Sequence, residues 1–160
     1  MRKFLLFILT SLFFISYSQK KAPKLVVGIV VDQMRADYIY RYWNRFGEGG
    51  FKRLVNEGFF CKNTHYNYVP TYTGPGHSSI YTGAAPNVHG IIANDWFVKE
   101  GGGMIYCCDD KSVTPVGTTN EHCKMSPKNQ LTTTIGDELE LFSNGKSKVF
   151  GIALKDRSSI

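Results

Sequence analysis

The stretch from Pro70 to Gly83 reads Pro-Thr-Tyr-Thr-Gly-Pro-Gly-His-Ser-Ser-Ile-Tyr-Thr-Gly. It places the hydroxyl of Thr73 directly before a Gly-Pro-Gly turn that feeds a short helix, expected over Gly76–Tyr81. Glycines let the backbone come close to a ligand, and a helix N-terminus presents free N–H groups and a partial positive charge. An anion held there would face Thr73. A threonine hydroxyl attacks poorly unless its alkoxide is stabilised, which a divalent metal can do. The same residues admit a plainer use, with Thr71 and Thr73 only capping a helix.

Two apolar runs frame this stretch, Leu25–Val31 (LVVGIVV) and Lys148–Leu154 (KVFGIAL). Short, continuous and rich in β-branched residues, both read as strands buried on two faces of a parallel sheet. Such sheets bind ligands beyond the carboxyl ends of their strands, where Asp32 and Lys155 fall. Asp32 suits a metal ligand, a turn or a helix cap, and position alone does not separate these.

The remaining chain supplies the supporting elements. Ala36–Phe46 and Gly50–Glu57 look helical, with Gly58 as a stop. Phe59–Val69 reads as extended. The segment between Asp95 and Cys123 is rich in Gly, Thr, Asp and Asn, a surface excursion with a small hairpin around Met104–Cys107. Ser126-Pro127 resembles a helix start, and Leu131, Ile135, Leu139 and Phe142 then share one face up to Gly145. Strand, helices, excursion, helix, strand is the order of an α/β fold with a mainly parallel sheet. Two such strands do not make a stable sheet alone, so the core is expected to be incomplete in this chain.

The 160 residues suit one compact domain at most. Arg2 and Lys3 precede an apolar stretch from Phe4 to Ile15, and Ser16-Tyr17-Ser18 offers a small-x-small cleavage site. That anatomy predicts a signal peptide over residues 1–18 and a mature domain over 19–160, secreted or periplasmic, with no stable membrane span after cleavage. Taking Arg2 and Lys3 from the 19 basic residues leaves 17 against 13 acidic. The excess is scattered, which argues against nucleic acid as a partner. Cys61, Cys107, Cys108 and Cys123 show no C-x-x-C pair, so a zinc knuckle is excluded. An exported chain could instead pair Cys123 with Cys107 or Cys108.

The run from Pro70 to Trp96, PTYTGPGHSSIYTGAAPNVHGIIANDW, resembles the nucleophile segment of the alkaline phosphatase superfamily, including its type I phosphodiesterases and nucleotide pyrophosphatases. The pattern consists of Thr73, Gly76-His77, Thr82-Gly83, Pro86-Asn87-Val88-His89-Gly90 and Asn94, without a gap. The resemblance continues into VVDQMRADY around Asp32 and ALKDRSS near the end. It is closest to the periplasmic alkaline phosphatases with a threonine nucleophile, and it covers only the N-terminal part of such an enzyme.

The resemblance implies an alkaline phosphatase-like core and two zinc ions (Zn2+). It makes Asp32 a metal ligand and Thr73 both nucleophile and metal ligand. Asn94 would donate to a nonbridging phosphate oxygen, and Lys155 and Arg157 would bind the phosphoryl group. Lys plus Arg suits a monoester, which carries one more negative charge than a diester. Each residue also has a plain use: Asn94 as a turn former, Lys155 and Arg157 as solvated charges. His77 and His89 are structural in the family pattern, and His65 and His122 lack ligand spacing.

The expected function is therefore a phosphate monoester hydrolase acting on a small phosphate ester, with this chain inactive by itself for want of metal ligands. A phosphodiesterase or nucleotide pyrophosphatase, a phosphonate hydrolase and a non-catalytic, exported anion-binding remnant are the alternatives. The Cys/Ser-x-Pro-x-Arg segment of sulfatases does not occur.

Overall fold

The computed structural model describes residues 23–160, so the expected signal peptide lies outside the described residues. The chain divides into two compact units, Met1–Ala36 and Asp37–Ile160. In the first, residues 25–31 run extended with their apolar side chains largely exposed and no strand partner among the described residues. A tight turn follows, in which the Met34 N–H donates to the Val31 carbonyl at 3.4 Å. Asp32 and Gln33 form its two corners, Gln33 at a φ of 58°.

The second unit begins with α1 (Asp37–Arg41), closed by an Arg41–Asp37 ion pair at 3.3 Å. The helix expected to reach Phe46 breaks there into a 3-10 turn over Trp43–Arg45. Its run of aromatics loses rotamer freedom in a helix and contributes little propensity to extend it. Helix α2 (Phe51–Glu57) carries Arg53–Glu57 and Lys52–Glu48 pairs on its surface and stacks Phe51 against Phe46 at 5.1 Å. Gly58 stops it with extended rather than left-handed backbone, its N–H donating to the Leu54 carbonyl.

Helix α3 (Thr73–Thr82) starts at Thr73 rather than Gly76, so the Gly-Pro-Gly segment is its first turn. Pro75 fits there because early helical N–H groups have no partner inside the helix. Helix α4 (Pro86–His89) opens on its proline and ends at Gly90, φ 84°. A Cβ on Gly90 would stand 2.8 Å from Leu131 Cγ, so backbone and space both demand glycine.

A hairpin forms from β1 (Asp95–Val98) and β2 (Gly103–Tyr106), turning at residues 99–102 rather than around Met104–Cys107; it is antiparallel, with Asp95 opposite Tyr106 and Val98 opposite Gly103. Among the described residues it is the only sheet. Residues 148–154, the second expected strand, run extended and unpaired, with Ile152 96% exposed. A strand meant for burial on both faces needs neighbours for its ladder and its side chains, and the described residues supply none.

Helix α5 (Ile135–Phe142) begins well after Ser126-Pro127. The Ser126 hydroxyl donates instead to Asp110 at 2.6 Å, and only a single turn closes from Gln130 to Pro127. The actual start is a capping box: Thr134 Oγ1 accepts from the Asp137 N–H, and Asp137 accepts from the Thr134 N–H. Leu131, expected on the helix face, lies ahead of it and donates its N–H to the His89 carbonyl at 2.9 Å. The buried apolar centre is Ile91, Cys107 and Cys108, with Trp96, Tyr106 and Met125 packed against it. No helix of the described residues is long and apolar enough to cross a membrane.

Candidate active site

Thr73 is the first residue of α3, and the Gly74 N–H behind it donates to Asn94 Oδ1 at 2.8 Å. The hydrogen bond assigns the amide: its oxygen faces the helix, and its NH2 is the end left to meet another acceptor. Asn94 stands at the foot of the hairpin, where its carbonyl accepts from the Cys107 N–H at 2.9 Å. The approach of Asn94 to α3 depends on Gly74. A Cβ there would lie 3.3 Å from the Ala93 carbonyl, from Asn94 Oδ1 and from Cys107 Sγ.

Behind α3 runs a directed chain of hydrogen bonds. The Ile91 N–H donates to His89 Nδ1 at 3.1 Å, so in the neutral ring the proton sits on Nε2. His89 Nε2 then donates to Ser79 Oγ at 3.0 Å, Ser79 to Tyr68 Oη at 2.8 Å, and Tyr68 to the Pro75 carbonyl at 3.1 Å. His89 is fully buried, and burial pushes its pKa below the ordinary histidine value. His77, also buried, donates Nδ1–H to the Thr73 carbonyl at 2.9 Å. Both histidines are engaged in holding α3.

The cationic pair meets the hairpin through Tyr106. Arg157 Nη1 donates to Tyr106 Oη at 2.9 Å, and Tyr106 Oη donates to Asp156 Oδ1 at 2.8 Å. Burial and the hydrogen bond to Asp156 push the phenol pKa well up, so Tyr106 remains a donor. Lys155 Nζ lies 3.7 Å from Asp156 Oδ1 and 5.9 Å from the Tyr106 ring. A pocket lined by Gly74, Ser78, Ile91, Cys107, Cys108 and Arg157 joins the first turn of α3 to this cluster. Arg157 Nε is buried there with no hydrogen-bond partner. Tyr106 carries no sequence signal: it becomes visible only once the hairpin sets it between Asp156 and Arg157.

The second unit thus brings together the start of α3, Asn94 and Arg157, with Lys155 at the edge. Asp32 belongs to the other unit. Among the described residues no three His, Cys, Asp or Glu side chains gather into a metal-binding group. Asp32 and Thr73 do not amount to a ligand set for two zinc ions. The pairing open to Cys123, with Cys107 or Cys108, is not formed. All four cysteines are free, with Cys123 and Cys61 exposed and Cys107 and Cys108 buried.

Comparison with known proteins adds the lineage. The chain is 56% identical over 139 residues to alkaline phosphatase PafA of Elizabethkingia meningoseptica, which takes in 86% of this chain and 26% of the relative. It is 55% identical over 138 residues to alkaline phosphatase PhoV of Synechococcus elongatus, covering 86% of this chain and 25% of that one. The chain therefore spans about a quarter of the length of these curated relatives. The crystal structure of wild-type PafA matches at a TM-score of 0.86 and 53% identity, over 89% of this chain and 28% of that one. A crystal structure of a PafA variant, with a threonine changed to serine and an asparagine, a lysine and an arginine changed to alanine, matches equally at 0.86 and 51%. At this similarity the alkaline phosphatase fold is shared, and what the described residues form is part of its core. The family model of type I phosphodiesterase / nucleotide pyrophosphatase matches residues 26–137, and the chain belongs to that family.

Proposed function

We propose that this chain is the nucleophile-bearing part of a phosphate monoester hydrolase of the alkaline phosphatase type, with Thr73 accepting the phosphoryl group. The observation that carries the reading is the 2.8 Å hydrogen bond from Gly74 to Asn94, which fixes a donor amide beside the turn that holds Thr73. The PafA variant supports it. The four residue types replaced there recur here in the same order as Thr73, Asn94, Lys155 and Arg157, equally spaced within the first pair and within the last.

In the proposed reaction, Thr73 Oγ bonds to phosphorus as the bond to the leaving alcohol breaks. The threonine proton goes to solvent, and the departing oxygen takes one up. Water then cleaves the phosphothreonine and restores the hydroxyl. The α3 amides, the Asn94 NH2 and the Arg157 guanidinium would hold the equatorial oxygens. Lys155 and Arg157 would answer the extra charge of a monoester. Asp32 and Thr73 would be this chain's contribution to two zinc ions, which as Lewis acids supply charge neutralisation at the reacting oxygens. The chain alone is expected to retain no zinc pair and to turn over no ester. Export, with removal of residues 1–18, completes the reading.

A hybrid tests it, with this chain replacing the corresponding segment of the Elizabethkingia relative. It is expected to hydrolyse a monoester in preference to a diester. Thr73→Ala in the hybrid should lower monoester turnover by roughly 10³-fold or more. Turnover that survives this change would refute the nucleophile, and a diester preference would move the reading to a phosphodiesterase. A second reading is a non-catalytic anion-binding remnant, supported by the first turn of α3, to which Asn94 is bonded, meeting Arg157 at one pocket. Phosphate binding by the hybrid without turnover would be its signature.

A further inference from the structure

We propose that Cys107 and Cys108 form a chelating site for a thiophilic centre that takes two protein sulfurs and brings its other ligands with it. A monosubstituted trivalent arsenical has this chemistry, as does a soft divalent ion that keeps solvent. The site shares the pocket of Gly74 and Arg157 but does not depend on phosphoryl transfer taking place there.

Geometry carries the proposal. Adjacent side chains on extended backbone point to opposite faces. Here the Asp109 N–H donates to the Tyr106 carbonyl at 3.0 Å, closing a turn with the two cysteines at its corners. Both then line the pocket that Gly74 and Arg157 share. Their Sγ atoms stand 3.7 Å apart. A disulfide needs sulfurs about 2.05 Å apart. Tetrahedral thiolates with metal–sulfur bonds of about 2.3 Å lie about 3.8 Å apart, which is the spacing found.

The turn is held in place before any ligand arrives. The Cys107 N–H donates to the Asn94 carbonyl at 2.9 Å, and the Ser126 N–H to the Cys108 carbonyl at 2.9 Å. Asn129 Nδ2 donates to the Cys107 carbonyl at 3.0 Å. Preorganisation of this kind strengthens binding by removing its ordering cost. One of the two sulfurs is poised for attack, and the other holds its proton until a centre displaces it. The hydrogen bond from Cys108 pulls the Cys107 thiol pKa down, with help from Arg157, while that bond and burial push Cys108 up.

The described residues offer no third His, Cys, Asp or Glu to complete a cage, so the incoming centre must supply its remaining ligands. An aryl arsenic oxide meets that condition: two thiols and one As=O give two As–S bonds and one water. A divalent ion displaces two protons and keeps solvent. Soft centres of both kinds favour thiolate over oxygen ligands.

The test uses the reduced 160-residue chain with phenylarsine oxide in one arm and cadmium chloride in the other. One equivalent should bind and shield two of the four thiols from alkylation, mapped by mass spectrometry to Cys107 and Cys108. Affinity should exceed that of an unstructured peptide spanning residues 105–110 by about tenfold or more. Cys61→Ser and Cys123→Ser should bind unchanged, and Cys107→Ser should lose binding. Binding in one arm alone supports the site and identifies the kind of centre it takes. Binding in neither arm, shielding at Cys61 or Cys123, or affinity equal to the peptide's overturns it. Because the thiol mapping uses the unaltered chain, it decides the matter even where Cys107→Ser fails to fold.

Discussion

Asn94 caps the helix that carries Thr73: its side-chain oxygen takes the Gly74 N–H at 2.8 Å while its backbone carbonyl takes the Cys107 N–H at 2.9 Å. One residue therefore ties α3 to the hairpin. Asn94→Asp keeps the acceptor for Gly74 and replaces the NH2 donor with charge, whereas Asn94→Ala removes both. In urea unfolding of the chain, the alanine variant should lose about 1 kcal/mol and the aspartate variant less. In the hybrid enzyme both should lower monoester turnover by roughly 10²-fold. Full turnover by either would remove Asn94 from the proposed oxygen-binding role.

Gly74→Ala should destabilise although alanine favours helix. The added methyl would meet three atoms at 3.3 Å, one of them a backbone oxygen, in a buried first turn. Crowding of that kind costs about 1–3 kcal/mol against a propensity gain of about 1 kcal/mol. A lower urea midpoint is the expected result, and an unchanged or higher one would show that Asn94 or Cys107 yields at no cost.

His89 should make stability depend on pH. Its ring accepts from the Ile91 N–H, so a proton added to Nδ1 sets two donors against each other in a fully buried site. Burial lowers its folded pKa below the ordinary value of 6.5. The unfolded chain then binds the proton more readily. Stability is fully present above the unfolded value and is lost as pH falls from there through the folded pKa. Urea midpoints measured from neutral to mildly acidic pH should fall in the native chain and fall less in His89→Gln. Equal slopes would place the dependence elsewhere.

Thr134→Ala should cost about 1 kcal/mol, because the Thr134 hydroxyl accepts from the Asp137 N–H at the start of α5 and donates to the Asp137 carboxylate. The Thr134 N–H and hydroxyl hold the Asp137 carboxyl below its ordinary pKa. This part of the stability is present above the ordinary carboxylate range and is lost as pH falls through the folded value. Circular dichroism during urea unfolding of the two proteins checks the magnitude.

Much of this arrangement was legible in the residues, unevenly and for physical reasons. The Pro70–Trp96 segment marked α3, three residues late, because turn glycines and prolines act locally, while the short helix α4 was not foreseen. The start of α5 was misplaced since Ser126-Pro127 satisfies every local rule for a helix. Only the tertiary partner Asp110, which takes the Ser126 hydroxyl, shows why no helix begins there. The apolar runs at 25–31 and 148–154 are extended chain but neither strands nor buried among the described residues, because pairing and burial depend on neighbours that a run does not specify. Cysteine count suggested a bridge to Cys123, whereas the fold turns Cys107 toward Cys108. Roles for Tyr106, Tyr68 and Ser79 required contacts distant in sequence.

The register of the hairpin has an evolutionary corollary. Its first strand begins one step after Asn94, and its second ends on Tyr106, paired with Asp95. The tip at residues 99–102 lies at the opposite end of the ladder, so insertions there should accumulate freely among descendants of this chain. A single deletion inside either strand would instead displace the amide arm and the guanidinium clamp in one stroke. Length variation should therefore crowd into the tip and stop abruptly at Val98 and Gly103.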